Sequence, residues 1–450
     1  MPYKYLIITL GCRVNQCESD AIARSLDAAG WLPGAKAENA DLCIVNTCTV
    51  TQRAAMQSRQ TVRQMVRANP GACIAVTGCY AQTEPEALRK ISKVSCIIGH
   101  SHKHEIPQRA LSLIQKIPAS PLMIVSDVSL EQHFRQFPFT GFGDRSRPVL
   151  KIQDGCNAFC SYCIVPYARG RSRSMPAADV LESIRKLADA GFREVVLSGI
   201  HVGCYGHDLV PKTGLYDLLC RIEEQAQMDR VRISSIEPRE LTPEIIQLIA
   251  GSDRFCRHFH IPLQSGDDNI LRKMGRPYTR DEFRDLIFFI RDTAPDAAIG
   301  ADTLIGFPGE TDAAFENTFS LVEELPLSYL HVFPFSIRKG TRAADFPNQI
   351  PSAFVKKRCA QMRRLGKEKK RLFYESFIGK PVQVLAENRR DIASGRLKGI
   401  SSQYLSVLFD GAGELKNRIV RVCIREITKE NLAVGICCDG SEIRKPENGI

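Results

Sequence analysis

The sequence predicts an α/β protein in three parts: an N-terminal domain around a parallel sheet, a central partial (βα)6 barrel, and a small C-terminal antiparallel β-barrel. Three observations carry this. Short β-branched runs alternate with amphipathic helical stretches over the first hundred residues and again from about 147 to 335, the pattern of parallel βαβ units. The last portion switches to period-two strands separated by short turns. A chain of 450 residues is also too long for one ordinary core.

In the first part, residues 2–107, Tyr3–Thr9, Asp41–Asn46 and Cys73–Thr77 read as strands, with helices over Glu18–Ala29 and Ala54–Val66 between them. Residues 107–146 carry Pro107, Pro118, Pro121 and Pro138 and read as a connector. The central part, residues 142–372, has six strand candidates: Val149–Gln153, Glu194–Ser198, Val231–Ile236, His258–Leu263, Ala298–Ile305 and Tyr329–Phe335. Helices such as Ala177–Ala190 and Thr242–Ile249 separate them, which suits an open relative of the eight-fold barrel. A long basic helix, Ala353–Tyr374, follows. The tail, residues 375–440, has strands at Val382–Glu387, Tyr404–Phe409, Arg418–Ile427 and Leu432–Ile436.

Charged residues make up 25% and hydrophobic residues 44%, a soluble globular profile, and the net charge of +11 favours an acidic partner such as RNA. The apolar stretch in Met1–Leu10 is too short for a signal peptide, and no run of about 18 apolar residues exists to span a membrane. Seventeen cysteines in such a chain predict a reducing cytoplasm, with metal or cluster chemistry rather than a disulfide framework.

Cys156, Cys160 and Cys163 form a CxxxCxxC triplet directly after the first barrel strand. Three thiolates on one loop hold three irons of a 4Fe–4S cube and leave the fourth open to chelate S-adenosylmethionine (SAM), the arrangement of radical SAM enzymes. A structural zinc site would instead use four ligands, commonly in CxxC pairs. Cys12, Cys48 and Cys79 each follow a strand of the first domain, and loops at the carboxyl ends of parallel strands converge. Gly11 and Gly78 leave backbone room beside two of them. A second cluster is one reading of this set, and unrelated core cysteines are the other. Cys17, Cys43, Cys73 and Cys96 fall inside element patterns and read as buried thiols.

The words around these cysteines carry a resemblance. Leu10-Gly11-Cys12-Arg13-Val14-Asn15, Asn46-Thr47-Cys48-Thr49-Val50 and Gly78-Cys79-Tyr80-Ala81-Gln82 resemble the three cluster motifs of the radical SAM methylthiotransferases. So do Gln153–Gly170, Leu263-Gln264-Ser265-Gly266, Gly306–Thr311 and Phe335–Thr341, in the expected order over nearly the whole chain. Within the family, Gly11–Ser19, Gly199-Ile200-His201-Val202-Gly203 with Tyr205-Gly206, and Ser234–Pro238 are most similar to the group acting on N6-threonylcarbamoyladenosine at position 37 of tRNA. Cys17 stands where that group carries an aromatic residue. The tail, Phe377–Asp439, is short and irregular beside a full TRAM domain.

The resemblance implies two 4Fe–4S clusters, an auxiliary one on Cys12, Cys48 and Cys79 and a radical-generating one on Cys156, Cys160 and Cys163. It also implies two uses of SAM: one molecule methylates a sulfur carried at the auxiliary cluster, and another yields the 5′-deoxyadenosyl radical that removes hydrogen from C2 of the adenine. An electron donor and a sulfur donor are required as partners, and a monomer is the simplest assembly. Strand ends supply candidate contacts to SAM or the base: Gly199, Glu237, Gln264 and Ser265, with ordinary turn polarity as the alternative. The Gly306–Glu310 loop is placed to pack on adenine. Arg169, Arg171 and Arg173 are placed to meet phosphate or the threonyl carboxylate, or to form a solvated basic loop. The basic helix and the TRAM-like tail suit tRNA, and position 37 lies in an unpaired loop whose bases can be splayed out. Two alternatives stand beside this: a methylthiotransferase acting on isopentenyladenosine-37 tRNA or on an aspartate of a ribosomal protein, and a non-catalytic zinc or cluster protein that only binds RNA.

Overall fold

The computed structural model describes residues 2–34, 40–115, 120–136 and 146–438. The start set for the central domain at 142, the end of the tail at 439–440, and Pro118 and Pro138 lie outside these residues.

The N-terminal sheet has six parallel strands: β1 (Lys4–Thr9), β2 (Leu32–Pro33), β3 (Leu42–Thr47), β4 (Cys73–Gly78), β5 (Cys96–Ile98) and β6 (Leu122–Ile124), in the order β2-β1-β3-β4-β5-β6. Alternation along β3 sends Leu42 and Ile44 to one face and Cys43 and Val45 to the other. Each face is covered. Helix Gln52–Ala68 buries Ala55, Val62 and Met65 on one side, and helix Arg13–Ala28 buries Ile22 and Leu26 on the other. Both faces of the central strands are therefore apolar, as in buried parallel sheets. The connector expectation is corrected here. Ile106–Gln115 is a helix burying Ile106, Ala110 and Leu113, and β6 adds the sixth strand. The prolines masked a short i, i+4, i+7 apolar stripe.

The central domain contains β7 (Val149–Lys151), a ribbon of β8 (Gln153–Asp154) with β9 (Arg173–Ser174), and then β10 (Glu194–Ser198), β11 (Arg230–Ile233), β12 (His258–Gln264), β13 (Ala298–Ile305) and β14 (Tyr329–Pro334). The parallel strands form two triplets, β11-β10-β7 and β12-β13-β14. A Val231–Phe255 bridge and the Ile236 N–H donating to His260 O at 3.0 Å join them into one arc. Its core includes Ile152, Val195, Leu197, Val231, Phe259, Ile261, Ile299 and Ala301. The N-terminal domain packs along the arc's two ends: Cys17 Sγ donates to Val149 O on β7 (3.1 Å), and Gln52 N–H donates to Ser336 Oγ just after β14 (2.9 Å).

Helix Ser352–Glu375 packs on the outer side of β14. Not all of its basic residues face solvent. Arg358 is buried against Glu310 and Asp312, and Lys369 Nζ donates to Glu323 O and Leu325 O. Beyond it β15 (Pro381–Arg390), β16 (Leu397–Ser401), β17 (Ser406–Asp410), β18 (Ile419–Ile427) and β19 (Ala433–Cys437) close a barrel in the order β15-β16-β17-β19-β18. Two details correct the sequence reading. The tail is a complete five-stranded barrel, because β16 adds a strand that Gly399 hid from the period-two pattern. It is also not wholly antiparallel, since β17 and β19 pair in parallel. No helix among the described residues is long and apolar enough to cross a membrane.

Candidate active site

The β8–β9 ribbon forms the neck of the Cys156–Cys163 loop. Cys156 N–H donates to Gly170 O (3.0 Å) across that neck, and Cys163 N–H donates to Cys160 O (2.9 Å) within the loop. Gly155, with φ of 73°, makes the entering turn, and a Cβ there would run into the Arg171 carbonyl. All three thiols line a cavity of about 400 Å³, within the range of small-molecule sites. Burial, with Cys160 and Cys156 beside it, pushes the Cys163 thiol up to about 12. Deprotonation therefore waits for a positive partner such as a metal centre.

Two side chains from later in the barrel contact these sulfurs. Arg276 Nη1 donates to Cys160 Sγ at 3.4 Å, and its Nη2 pairs with Glu237. His201 Nδ1 lies 3.4 Å from Cys156 Sγ, while its Nε2 lies 2.8 Å from Glu240. Burial opposes a charge on His201, but Cys156, Cys204 and Glu240 push its pKa up to about 12. The sequence reading passed over Arg276 and Glu240. They lie over 75 residues beyond the triplet, and only the G-I-H wording around His201 hinted at a role.

Of the proposed strand-end contacts, Glu237 and Gln264 line the cavity. Gln264 ends β12 at a bulge with φ of 64°, a left-handed conformation that turns its side chain out of the strand pattern. Gly199 instead packs on Gln153, whose Oε1 accepts from Ile200 N–H and His201 N–H, and those two neighbours line the cavity. Ser265 is 1% exposed, and its hydroxyl meets Thr318 Oγ1 and Asp267 N–H away from the cavity. In the Gly306–Glu310 loop, Glu310 accepts from Gly306 N–H and Arg358, so the loop's polar groups are turned inward.

Cys12, Cys48 and Cys79 lie at the carboxyl ends of β1, β3 and β4. They are close enough for charge on each of Cys12 and Cys79 to disfavour charge on Cys48. The Cys48 thiol is pushed up to about 11, first by burial and then by Cys79. At Gly11, φ is 96° and a Cβ would sit 2.7 Å from Cys48 Sγ. The loop thus needs glycine to bring the backbone against that thiol. Ser58 Oγ accepts from Cys48 N–H (3.1 Å) and donates to Cys48 O (2.9 Å), fixing its direction.

A buried ionic group connects the two cysteine sets. Arg169, six residues after Cys163, bonds Asn15 Oδ1 (2.7 Å), Asp154 Oδ1 (2.8 Å) and Glu18 Oε1 (3.0 Å). Lys103 Nζ lies 2.6 Å from Glu18, and Lys151 Nζ lies 3.1 Å from Glu18 and 3.0 Å from Asp154. Burial opposes ionisation of Glu18 and Asp154, yet Arg169 with the lysines holds both carboxyls well below the usual range. Burial, reinforced by Arg169 and Lys103, lowers His100 to about 4, so it sits neutral beside them. Three cations thus face two carboxylates next to Cys12 and Cys79, and that excess suits thiolates carrying an anionic cluster. Arg169 and Arg173 therefore do not meet RNA: Arg173 donates to the carbonyls of Arg169 and Arg171, and only Arg171 is exposed.

The donor sets fit iron–sulfur clusters: three thiols in each set, with a cavity beside Cys156, Cys160 and Cys163. Val50 and Thr51, just after Cys48, line the same cavity as Cys156, Cys160 and Cys163. Residues 150–322 match the model of the Radical SAM superfamily, and residues 4–99 match the model described as Uncharacterized protein family UPF0004. TsrM from Kitasatospora setae, a radical S-adenosylmethionine methyltransferase, has the same fold, with a TM-score of 0.57 at 16% identity over 76% of this chain and 77% of its own. Fold and site together define a radical SAM enzyme.

A relative from Aquifex aeolicus (strain VF5), "Threonylcarbamoyladenosine tRNA methylthiotransferase MtaB", is 34% identical over 92% of this chain and 98% of its own. One from Pelotomaculum thermopropionicum, "tRNA-2-methylthio-N(6)-dimethylallyladenosine synthase", is 33% identical over 94% and 95%. The chain belongs to the radical SAM methylthiotransferase family.

Proposed function

We propose that this protein converts N6-threonylcarbamoyladenosine at position 37 of tRNA to its 2-methylthio derivative. The observation that carries the reading is the shared cavity: residues following Cys48 line it opposite Cys156, Cys160 and Cys163. The relatives' names supply the tRNA substrate, and the wording of the motifs favours the threonylcarbamoyl group.

When bound, two 4Fe–4S clusters and SAM supply the radical that attacks an unactivated aromatic C–H bond and the methylthio group that replaces its hydrogen. Cys156, Cys160 and Cys163 hold one cluster, and Cys12, Cys48 and Cys79 hold the other. Glu237 and Gln264 offer the polar contacts that orient SAM, and Arg276 fixes Glu237. Val165, Leu304, Phe333 and Phe335 give the cavity an apolar wall that keeps water from the reacting atoms. The basic helix and the closed C-terminal barrel provide the RNA-facing surface.

The test is anaerobic turnover with reductant, SAM and tRNA carrying N6-threonylcarbamoyladenosine, followed by nucleoside mass spectrometry. Formation of the 2-methylthio nucleoside supports the reading. A protein that cleaves SAM yet leaves this tRNA unchanged overturns it.

A further inference from the structure

Identity to relatives does not separate the two tRNA substrates, at 34% for the threonylcarbamoyl enzyme and 33% for the dimethylallyl enzyme. Along β14, Leu330 and Val332 pack into the domain core, while Tyr329, His331 and Phe333 alternate with them on the other face. His331 is 52% exposed at its side chain, and Phe333 lines the cavity. Through Phe333 this face reaches the cavity that holds the triplet.

The face is polar and ordered. Asp302, which also lines the cavity, accepts from His260 Nε2 (2.9 Å) and His331 Nδ1 (3.2 Å). His260 Nδ1 lies 2.9 Å from Tyr329 OH, which lies 2.7 Å from His258 Nε2. Tyr404, on the C-terminal barrel, sets its ring centroid 4.4 Å from that of His258 and 5.7 Å from that of Tyr329, tilted by 32° and 37°. Its hydroxyl receives Arg13 Nη2 at 2.8 Å. Arg13 directly follows Cys12 and is exposed, and among the described residues no carboxylate pairs with it. A guanidinium oriented by Tyr404 thus stands next to Cys12, joined through Tyr404, His258 and Tyr329 to His260 and to Asp302 of the cavity.

We propose that Arg13, with His260, Asp302 and His331, forms a subsite for a carboxylate-bearing N6 substituent on the target adenosine. Arg13 takes the carboxylate, since guanidinium matches it bidentately. His331 and Asp302 meet the hydroxyl and the urea N–H groups. Filling this subsite seats the ring with C2 towards the cavity. An isopentenyl group offers no partner to Arg13 and would desolvate it without return, the situation in which polar sites discriminate most strongly. The inference rests on the tRNA reading above.

The experiment uses the reconstituted full chain with synthetic anticodon stem-loops. Position 37 carries N6-threonylcarbamoyladenosine, its neutral threonine methyl ester, or N6-isopentenyladenosine. The wild type is expected to prefer the acid over the ester by about 10- to 100-fold in kcat/KM, as a charged hydrogen bond contributes. In Arg13→Gln that preference falls towards unity, with the loss in KM, while iron content matches the wild type. Tyr404→Phe, which removes the hydroxyl that aims Arg13, lowers it partway. Equal wild-type activity on acid and ester overturns the subsite but leaves the tRNA reading standing, as does an Arg13→Gln enzyme with the full preference. A wild type acting only on the isopentenyl stem-loop overturns both.

Discussion

Arg169 Nη1 lies 3.0 Å from Glu18 Oε1, although the two residues are 151 positions apart and both side chains are 1% exposed. This contact welds the cysteine loop of the barrel to the first helix of the N-terminal domain. Removing one partner of a buried charge pair costs about 3–5 kcal/mol, because the other charge stays buried. Glu18→Gln leaves Arg169, Lys103 and Lys151 facing Asp154 alone. It is expected to lower the denaturation midpoint clearly and to loosen iron at the N-terminal cysteines. An unchanged midpoint would mean that the contact does not hold the domains.

Gly11 tests the auxiliary site by shape. Gly11→Ala places a methyl group 2.7 Å from Cys48 Sγ in a left-handed backbone conformation. Reconstituted wild type is expected to hold about eight irons, the sum of two four-iron cubes. Gly11→Ala is expected to hold about four, with SAM cleavage retained. Full iron loading in this variant would remove Cys48 from the ligand set.

The two cysteine sets are expected to separate by function. Cys160→Ala should abolish SAM cleavage. Cys48→Ala should keep some cleavage, measured as 5′-deoxyadenosine, yet give no methylthio product. Normal product from Cys48→Ala contradicts the auxiliary role.

Acid should detach the C-terminal barrel. Glu194 is fully buried and pairs with Arg230 (2.5 Å) and Arg232 (2.9 Å). Those arginines donate to Ile400 O (3.2 Å) and Ser401 O (2.9 Å) of β16. Burial opposes the Glu194 charge, but Arg230 and Arg232 lower its pKa from 4.5 to about 2. A lowered carboxyl pKa stabilises the folded state fully above about 4.5, and this is lost as pH falls towards 2. The linkage amounts to about 3 kcal/mol. Hydrogen exchange at β16 is expected to accelerate across that window in the wild type. In Glu194→Gln it is expected to be fast already at neutral pH, with a flatter profile. Identical profiles would contradict the assignment.

Much of this was legible in the sequence because the six cysteines sit in loops after strands, where local pattern and chain direction fix position. The ionic group was not. Arg169 lies in a basic stretch that reads as a contact to phosphate or to the threonyl carboxylate, or as a solvated loop, and only folding brings Glu18, Lys103 and Lys151 around it. Likewise β16 carries Gly399, and the parallel pairing of β17 with β19 depends on how the barrel closes. Arg13 read as part of a motif, and its orientation by Tyr404, 391 residues away, is a tertiary fact.

The most direct measurement is nucleoside mass spectrometry of tRNA from cells with and without this gene. The account predicts that 2-methylthio-N6-threonylcarbamoyladenosine disappears and N6-threonylcarbamoyladenosine accumulates in its place. Unchanged levels of that nucleoside, with loss of the 2-methylthio isopentenyl form instead, would contradict it.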